Sequence, residues 1–130
     1  GKTVTGVTES ERLGVLLGGP VFESAFSQEQ RPVDARDLTA ILEAVFDALQ
    51  FRGSKIRQGE AIGDDASVFH PGAVAAHWVG KQRVAVFGEL SPALLGALKV
   101  RERLFFAEIE MGPVWARSLE ARERAFRVPR

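Results

Sequence analysis

Few side chains in this sequence have the chemistry to act as ligands or catalysts. His70 and His77 are the only histidines, and there is no cysteine. A zinc or catalytic site needs histidines with partners at fixed spacing, such as two on one helical face. These two fall at the start and end of one expected strand and read as structural or surface residues that bind no metal. Glu60, Asp64 and Asp65 form an acidic loop. A calcium loop alternates its ligands and ends on glutamate, so a solvated turn fits this loop better. Glu108 and Glu110 alternate with apolar residues, as on a half-exposed strand, and if close they would perturb each other's titration. Gly14, Gly18 and Gly19 do not fit a phosphate loop, and no Gly-x-Ser-x-Gly elbow occurs. No catalytic, cofactor-binding or metal-binding residue is assigned.

The composition narrows the partners. The 130 residues are 45% hydrophobic and 26% charged, ordinary for one globular domain. Lysine and arginine total 17, as do aspartate and glutamate, so the net charge is zero and there is no general field for a polyanion. Basic residues gather only at Arg101–Arg103 and from Arg117 to Arg130, where Glu120 and Glu123 blunt their field. No aromatic residue interleaves with the bases between Arg117 and Arg124, so any tRNA binding is expected to be weak, unspecific and lost as salt rises. The absence of cysteine excludes disulfides and is compatible with the cytosol. No apolar run nears the roughly 20 residues of a membrane helix, and there is no basic-then-apolar leader. Beginning at Gly1-Lys2-Thr3 and ending at Val128-Pro129-Arg130, the sequence is expected to be an excised piece of a longer protein.

The elements that must position these residues are read from hydrophobic period. Leu13, Val15 and Leu17 alternate in a buried strand over 12–17, with Leu16 on its other face and Gly18-Gly19-Pro20 as the stop. Residues 20–33 show no clean period, and Phe22 and Phe26 pin this loop to the core. Leu38, Ile41, Leu42, Val45, Phe46 and Leu49 make one apolar stripe of a helix over about 35–50. Asp34 is its N-cap, Asp37 favours its positive end, and Gly53 is its stop. A strand over 54–60 turns Ile56 inward, and Gly63-Asp64-Asp65 is a turn. Residues 73–79 and 82–88 form a hairpin through a type II′ turn at Gly80-Lys81. In its second, central strand Val84 and Val86 face one way, Ala85 and Phe87 the other. Ser91 caps a short helix begun by Pro92, with Leu94, Leu95 and Leu98 on its buried side. A strand over 103–111 puts Phe105, Ala107, Ile109 and Met111 on one face and Leu104, Phe106, Glu108 and Glu110 on the other. The fold expected is α+β, a mainly antiparallel sheet with helices on one face.

Several segments, taken in order, resemble a known family. Arg31-Pro32-Val33-Asp34 leads to Asp37-Leu38; Phe69-His70-Pro71-Gly72 follows, then the Gly80-Lys81 turn, Gly88-Glu89-Leu90, and Phe106-Ala107-Glu108-Ile109. Over roughly 11–126 this series is similar to the late part of the β subunit of bacterial phenylalanyl-tRNA synthetase. Thr39-Ala40, Ala73 and Ser91 depart from that family's usual Lys-Gly, Arg and His.

The resemblance implies that residues 1–125 are the C-terminal part of the family's catalytic-like module, similar to part of a class II aminoacyl-tRNA synthetase core. Residues 126–130 would begin a linker to a following anticodon-binding domain. It further implies a cytoplasmic, non-catalytic scaffold segment, assembled with the synthetase α subunit and the rest of the β subunit in a heterotetramer. ATP and magnesium would serve the whole complex and not this segment, tRNA would be contacted mainly by other domains, and no membrane would be involved. The residues agree: a class II site fixes ATP phosphates with an arginine on the helix after a glycine-containing strand, and Gly88-Glu89 is followed by no arginine before Arg101. An independent RNA- or ligand-binding α+β module is the alternative.

Overall fold

The alternating run Leu104–Glu110 and the apolar run Val84–Phe87 build the middle of an antiparallel sheet. The computed structural model describes residues 3–4, 7–8, 10–22, 29–58 and 67–126. In chain order the elements are β1 (Thr3–Val4), β2 (Val7–Thr8), β3 (Arg12–Gly18), β4 (Pro20–Phe22), β5 (Gln30–Pro32), α1 (Ala35–Ala48), β6 (Lys55–Gln58), β7 (Phe69–Val79), β8 (Gln82–Leu90), α2 (Pro92–Ala97), β9 (Leu104–Glu110) and α3 (Met111–Phe126). Five strands form one sheet in the order β3-β9-β8-β7-β6, with every neighbouring pair antiparallel. The pairs β1–β2 and β4–β5 are separate two-stranded ribbons. The fold is α+β, as the sequence predicts.

Helices α1 and α3 share one face. Leu38, Leu42 and Phe46 of α1, with Met111 and Val114 of α3, bury against Val84, Ala85, Phe87, Phe105, Ala107 and Ile109. The opposite face carries a smaller cluster, Phe69, Val74 and Val86, with Val68 and Phe106 against it. β8 lies at the centre of the sheet and is covered on both faces, which is why its sequence is apolar without a break.

The structure departs from the sequence reading at several places, each with a physical cause. β3 is an edge strand: Leu13 is 39% and Leu16 62% exposed, so this strand is only half covered. β6 is the other edge; Ile56 is on the helix side but 46% exposed, because α1 does not reach over it fully. α1 ends before Gly53. Gln50 takes the left-handed conformation (φ 55°), its N–H bonds the Asp47 carbonyl, and the Phe51 N–H bonds the Phe46 carbonyl at 2.8 Å. The two phenyl rings meet at 5.0 Å, the hydrophobic contact that accompanies this type of helix end. Leu98 is 63% exposed rather than buried, since α2 stops at Ala97 with Lys99 left-handed just beyond. Ser91 occupies the N-cap position without a side-chain cap bond. Met111 is buried but begins α3 instead of ending β9. Residues 20–33 include the β4–β5 ribbon. The Phe22 side chain, Phe26 and the 63–65 turn lie outside the described residues.

The hairpin forms as expected, with positive φ at Gly80 (59°) and not at Lys81. One feature of it was invisible in the pattern. His77 pairs with Ala85 but Trp78 pairs with Arg83, so β8 carries a bulge at Val84. Val84 and Ala85 therefore both enter the helix-side core, and Val86 alone of the expected pair faces the other way.

Candidate functional site

The conserved-looking segments meet at one end of the sheet, where β7 starts and β8 ends. There the short polar side chains of the Arg-Pro-Val-Asp segment build the start of α1. The Asp34 carboxylate accepts the Arg36 N–H at 2.9 Å, and Asp37 Oδ2 accepts the Asp34 N–H at 2.9 Å, a reciprocal capping box. Arg31, on β5, clamps Asp37 with two parallel bonds, Nη1 to Oδ2 at 2.7 Å and Nη2 to Oδ1 at 2.6 Å. The Arg31 guanidinium, with the Asp34 N–H, holds the Asp37 carboxyl far below the usual carboxylate range. Arg36 likewise lowers Asp34. The Val33 N–H bonds the Gly19 carbonyl, which ties this helix start to the end of β3.

Phe69-His70-Pro71-Gly72 shapes β7. Phe69 pairs with Leu90, yet Val74 pairs with Gly88, so four steps on β7 oppose two on β8. Pro71 has no N–H to give the ladder, and His70 Nδ1 accepts the Gly72 N–H at 3.1 Å, fastening the bulged loop. The loop presses onto Gly88: a Cβ there would overlap the Ala73 carbonyl oxygen and lie 2.9 Å from Val74 Cα. The two motifs are thus the two sides of one backbone contact. Glu89 takes Arg103 in a bidentate pair at 2.6 and 3.0 Å, and that bond lowers its pKa. Arg103 also lies over the Phe105 ring. A cavity of about 470 Å³ opens beside this end, walled by Gly19, Pro20, Arg31, Pro32, Glu102 and Arg103. A groove of about 570 Å³ lies between α1 and the β6–β7 edge, lined by Thr39, Ile56, Ala73 and Phe87 among others.

The remaining candidates are scattered. His70 and His77 do sit on one strand, near its two ends. His77 is buried, edge-on to Phe46 at 4.9 Å and beside Phe87, with Nδ1 3.2 Å from Ser54 Oγ. Burial pushes its pKa down, against a weaker upward pull from Glu43. Glu108 and Glu110 share a face, and both pair with Arg12 across the β3–β9 ladder at 2.9 and 3.0 Å. Arg117 and Arg124 lie on α3, where Arg117 bonds the Arg52 carbonyl. Glu60, Asp64 and Asp65 lie outside the described residues. Among the described residues no three of His, Cys, Asp and Glu converge as a metal site would require, and no helix is long and apolar enough to cross a membrane. Sequence reasoning missed the Glu89–Arg103 pair and the contact of Ala73 with Gly88. Both join residues from separate segments, and no local spacing signals them.

The architecture is that of an α+β module whose sequence motifs serve its own backbone. The model of the phenylalanyl-tRNA synthetase β chain CLM domain family matches residues 2–111, and the chain belongs to that family. Among curated proteins it is similar to the phenylalanine–tRNA ligase β subunits of Synechococcus sp. strain JA-3-3Ab, with 30% identity over 88% of this chain and 14% of the relative. The β subunit of Fusobacterium nucleatum is 32% identical over 79% of this chain and 12% of its own length. That of Burkholderia lata is 29% identical over 92% and 14%. The chain thus corresponds to a segment of these β subunits and spans roughly one-seventh of their length or less.

Proposed function

We propose that this chain is the C-terminal part of the catalytic-like module of a phenylalanyl-tRNA synthetase β subunit, a piece of class II-like core that performs no chemistry. It serves as scaffold for the synthetase α subunit and the rest of the β subunit in a cytoplasmic heterotetramer. ATP, magnesium and phenylalanine are handled elsewhere in that assembly, and tRNA is held mainly by other domains. Residues 1–125 belong to the module, and 126–130 lead towards an anticodon-binding domain.

The observation that carries this reading is where the motif side chains spend their bonds. Arg31 is fixed on Asp37, Asp34 and Asp37 close the helix cap, and His70 fastens its own loop. The arginine nearest the strand–helix turn at Glu89 comes back from Arg103 and is fixed on Glu89 itself. These carboxylates and guanidiniums neutralise one another, so they do not fit an ATP–magnesium site, which needs donors and carboxylates turned on a common ligand. The test is phenylalanine-dependent pyrophosphate exchange by the purified chain, with co-purification alongside a synthetase α subunit as the second readout. No exchange together with capture of the α subunit is expected; exchange by the chain alone overturns the proposal.

A further inference from the structure

The face of the sheet away from α1 and α3 carries a row of cations and one aromatic ring at the hairpin end. Lys55 of β6 pairs directly with Trp78 of β7, and Trp78 pairs with Arg83 of β8. His77 and Val79, the neighbours of Trp78, pack into the helix-side core, so Trp78 and its two ladder partners are on the open face. Arg57, two residues along β6, places its guanidinium 5.3 Å from the centre of the Trp78 ring. Lys55 and Arg57 are exposed, Trp78 and Arg83 half-buried. The ladder partners of these residues are Trp78, Ala76 and one another; no carboxylate is among them. The arrangement depends on the bulge at Val84. An unbroken alternation from Ala85, which is in the helix-side core, would have turned Arg83 to that side as well.

We infer that this row is a contact site for single-stranded nucleic acid, in which an unpaired base stacks on the Trp78–Arg57 pair and Lys55 and Arg83 hold the flanking phosphates. Stacking surface interleaved with positive charge is what unpaired strands require, and a guanidinium plane accepts a base as an aromatic ring does. A protein of zero net charge binds such a strand only where its cations are gathered locally. The inference is independent of the scaffold role: a scaffold with no such contact would keep its fold and its partner.

The test uses this chain with Trp115 replaced by Phe, so that Trp78 is the sole fluorophore, titrated with short oligoadenylate at low salt. Quenching of the indole is expected. Trp78→Ala should weaken binding about tenfold or more, and Trp78→Phe should retain most of it. Lys55→Ala and Arg57→Ala should each weaken binding and flatten the salt dependence by roughly 0.7 of a log unit per log unit of salt. Unchanged thermal melts show that these variants remain folded. An oligodeoxyadenylate run in parallel identifies the sugar preferred, and binding of either strand supports the site. Absence of binding, binding that leaves Trp78 emission unchanged, or equal affinity for polyphosphate or for an RNA duplex would overturn it.

Discussion

At the end of the sheet where β7 begins, Arg31 and Arg103 are each fixed on a carboxylate, Asp37 and Glu89, in short bidentate pairs. At the other end, where β7 turns into β8, Lys55 and Arg57 border an indole and have alanine and tryptophan as ladder partners. The first end holds the family's motifs and uses them to set a helix start, a bulge and a strand crossing. The second holds no motif, yet its charges are the ones left facing outward. Recurring residues in this molecule therefore mark backbone construction, whereas the surface suited to a ligand is built from residues that no short pattern singles out.

Substitutions divide along the same line. Leu42, fully buried midway along α1, sets the scale: Leu42→Ala should cost about 2–5 kcal/mol in urea melts. A loss under about 1 kcal/mol would mean that the α1 core does not carry the fold. Gly88→Ala at the motif end should cost about 1–3 kcal/mol, because the β7 loop must move off the new methyl group. Gly96→Ala, with open space around it in α2, is the matched control and should be neutral or stabilising. Equal effects of the two glycine substitutions would remove the argument that the Phe-His-Pro-Gly and Gly-Glu-Leu segments act as one contact.

Asp37→Asn should lower the melting temperature at neutral pH by less than Gly88→Ala does. The carboxyl's folded pKa is depressed, so its contribution is present above the unfolded value of about 3.9 and lost as pH falls below it. The variant should therefore lack part of the acid limb seen in the parent chain. His77 acts in a different window. Its folded pKa is also depressed, but it is a base, so the unfolded chain takes up the proton first. Stability should be highest above about pH 6.5 and decline as pH falls below that value, and His77→Phe should flatten this decline. At the hairpin end Lys55→Ala and Arg57→Ala should change stability by no more than about 0.5 kcal/mol while weakening nucleic-acid binding. A large loss of stability from either would place that end, too, among the structural regions.

Periodicity alone was enough for α1, because six apolar residues at helical spacing behind an Asp34–Asp37 cap leave no competing local structure. Glycine and proline did the same for the Gly80-Lys81 turn, and unbroken apolar sequence marked β8 as central. What the sequence could not decide was which strands are edges, since exposure of Leu16 and Ile56 depends on how far α1 and the neighbouring strands extend over them. Nor could it place the stop of α1, which rests on the contact of Phe51 with Phe46 instead of on a glycine. The side to which Arg83 turns was likewise beyond reach. Strand alternation has a period of two, and one extra residue at Val84 reverses it, an event decided only by the register of β7 against β8. Lys55, Trp78 and Arg83 come from three strands, and only the tertiary hydrogen-bonding ladder brings them into one row.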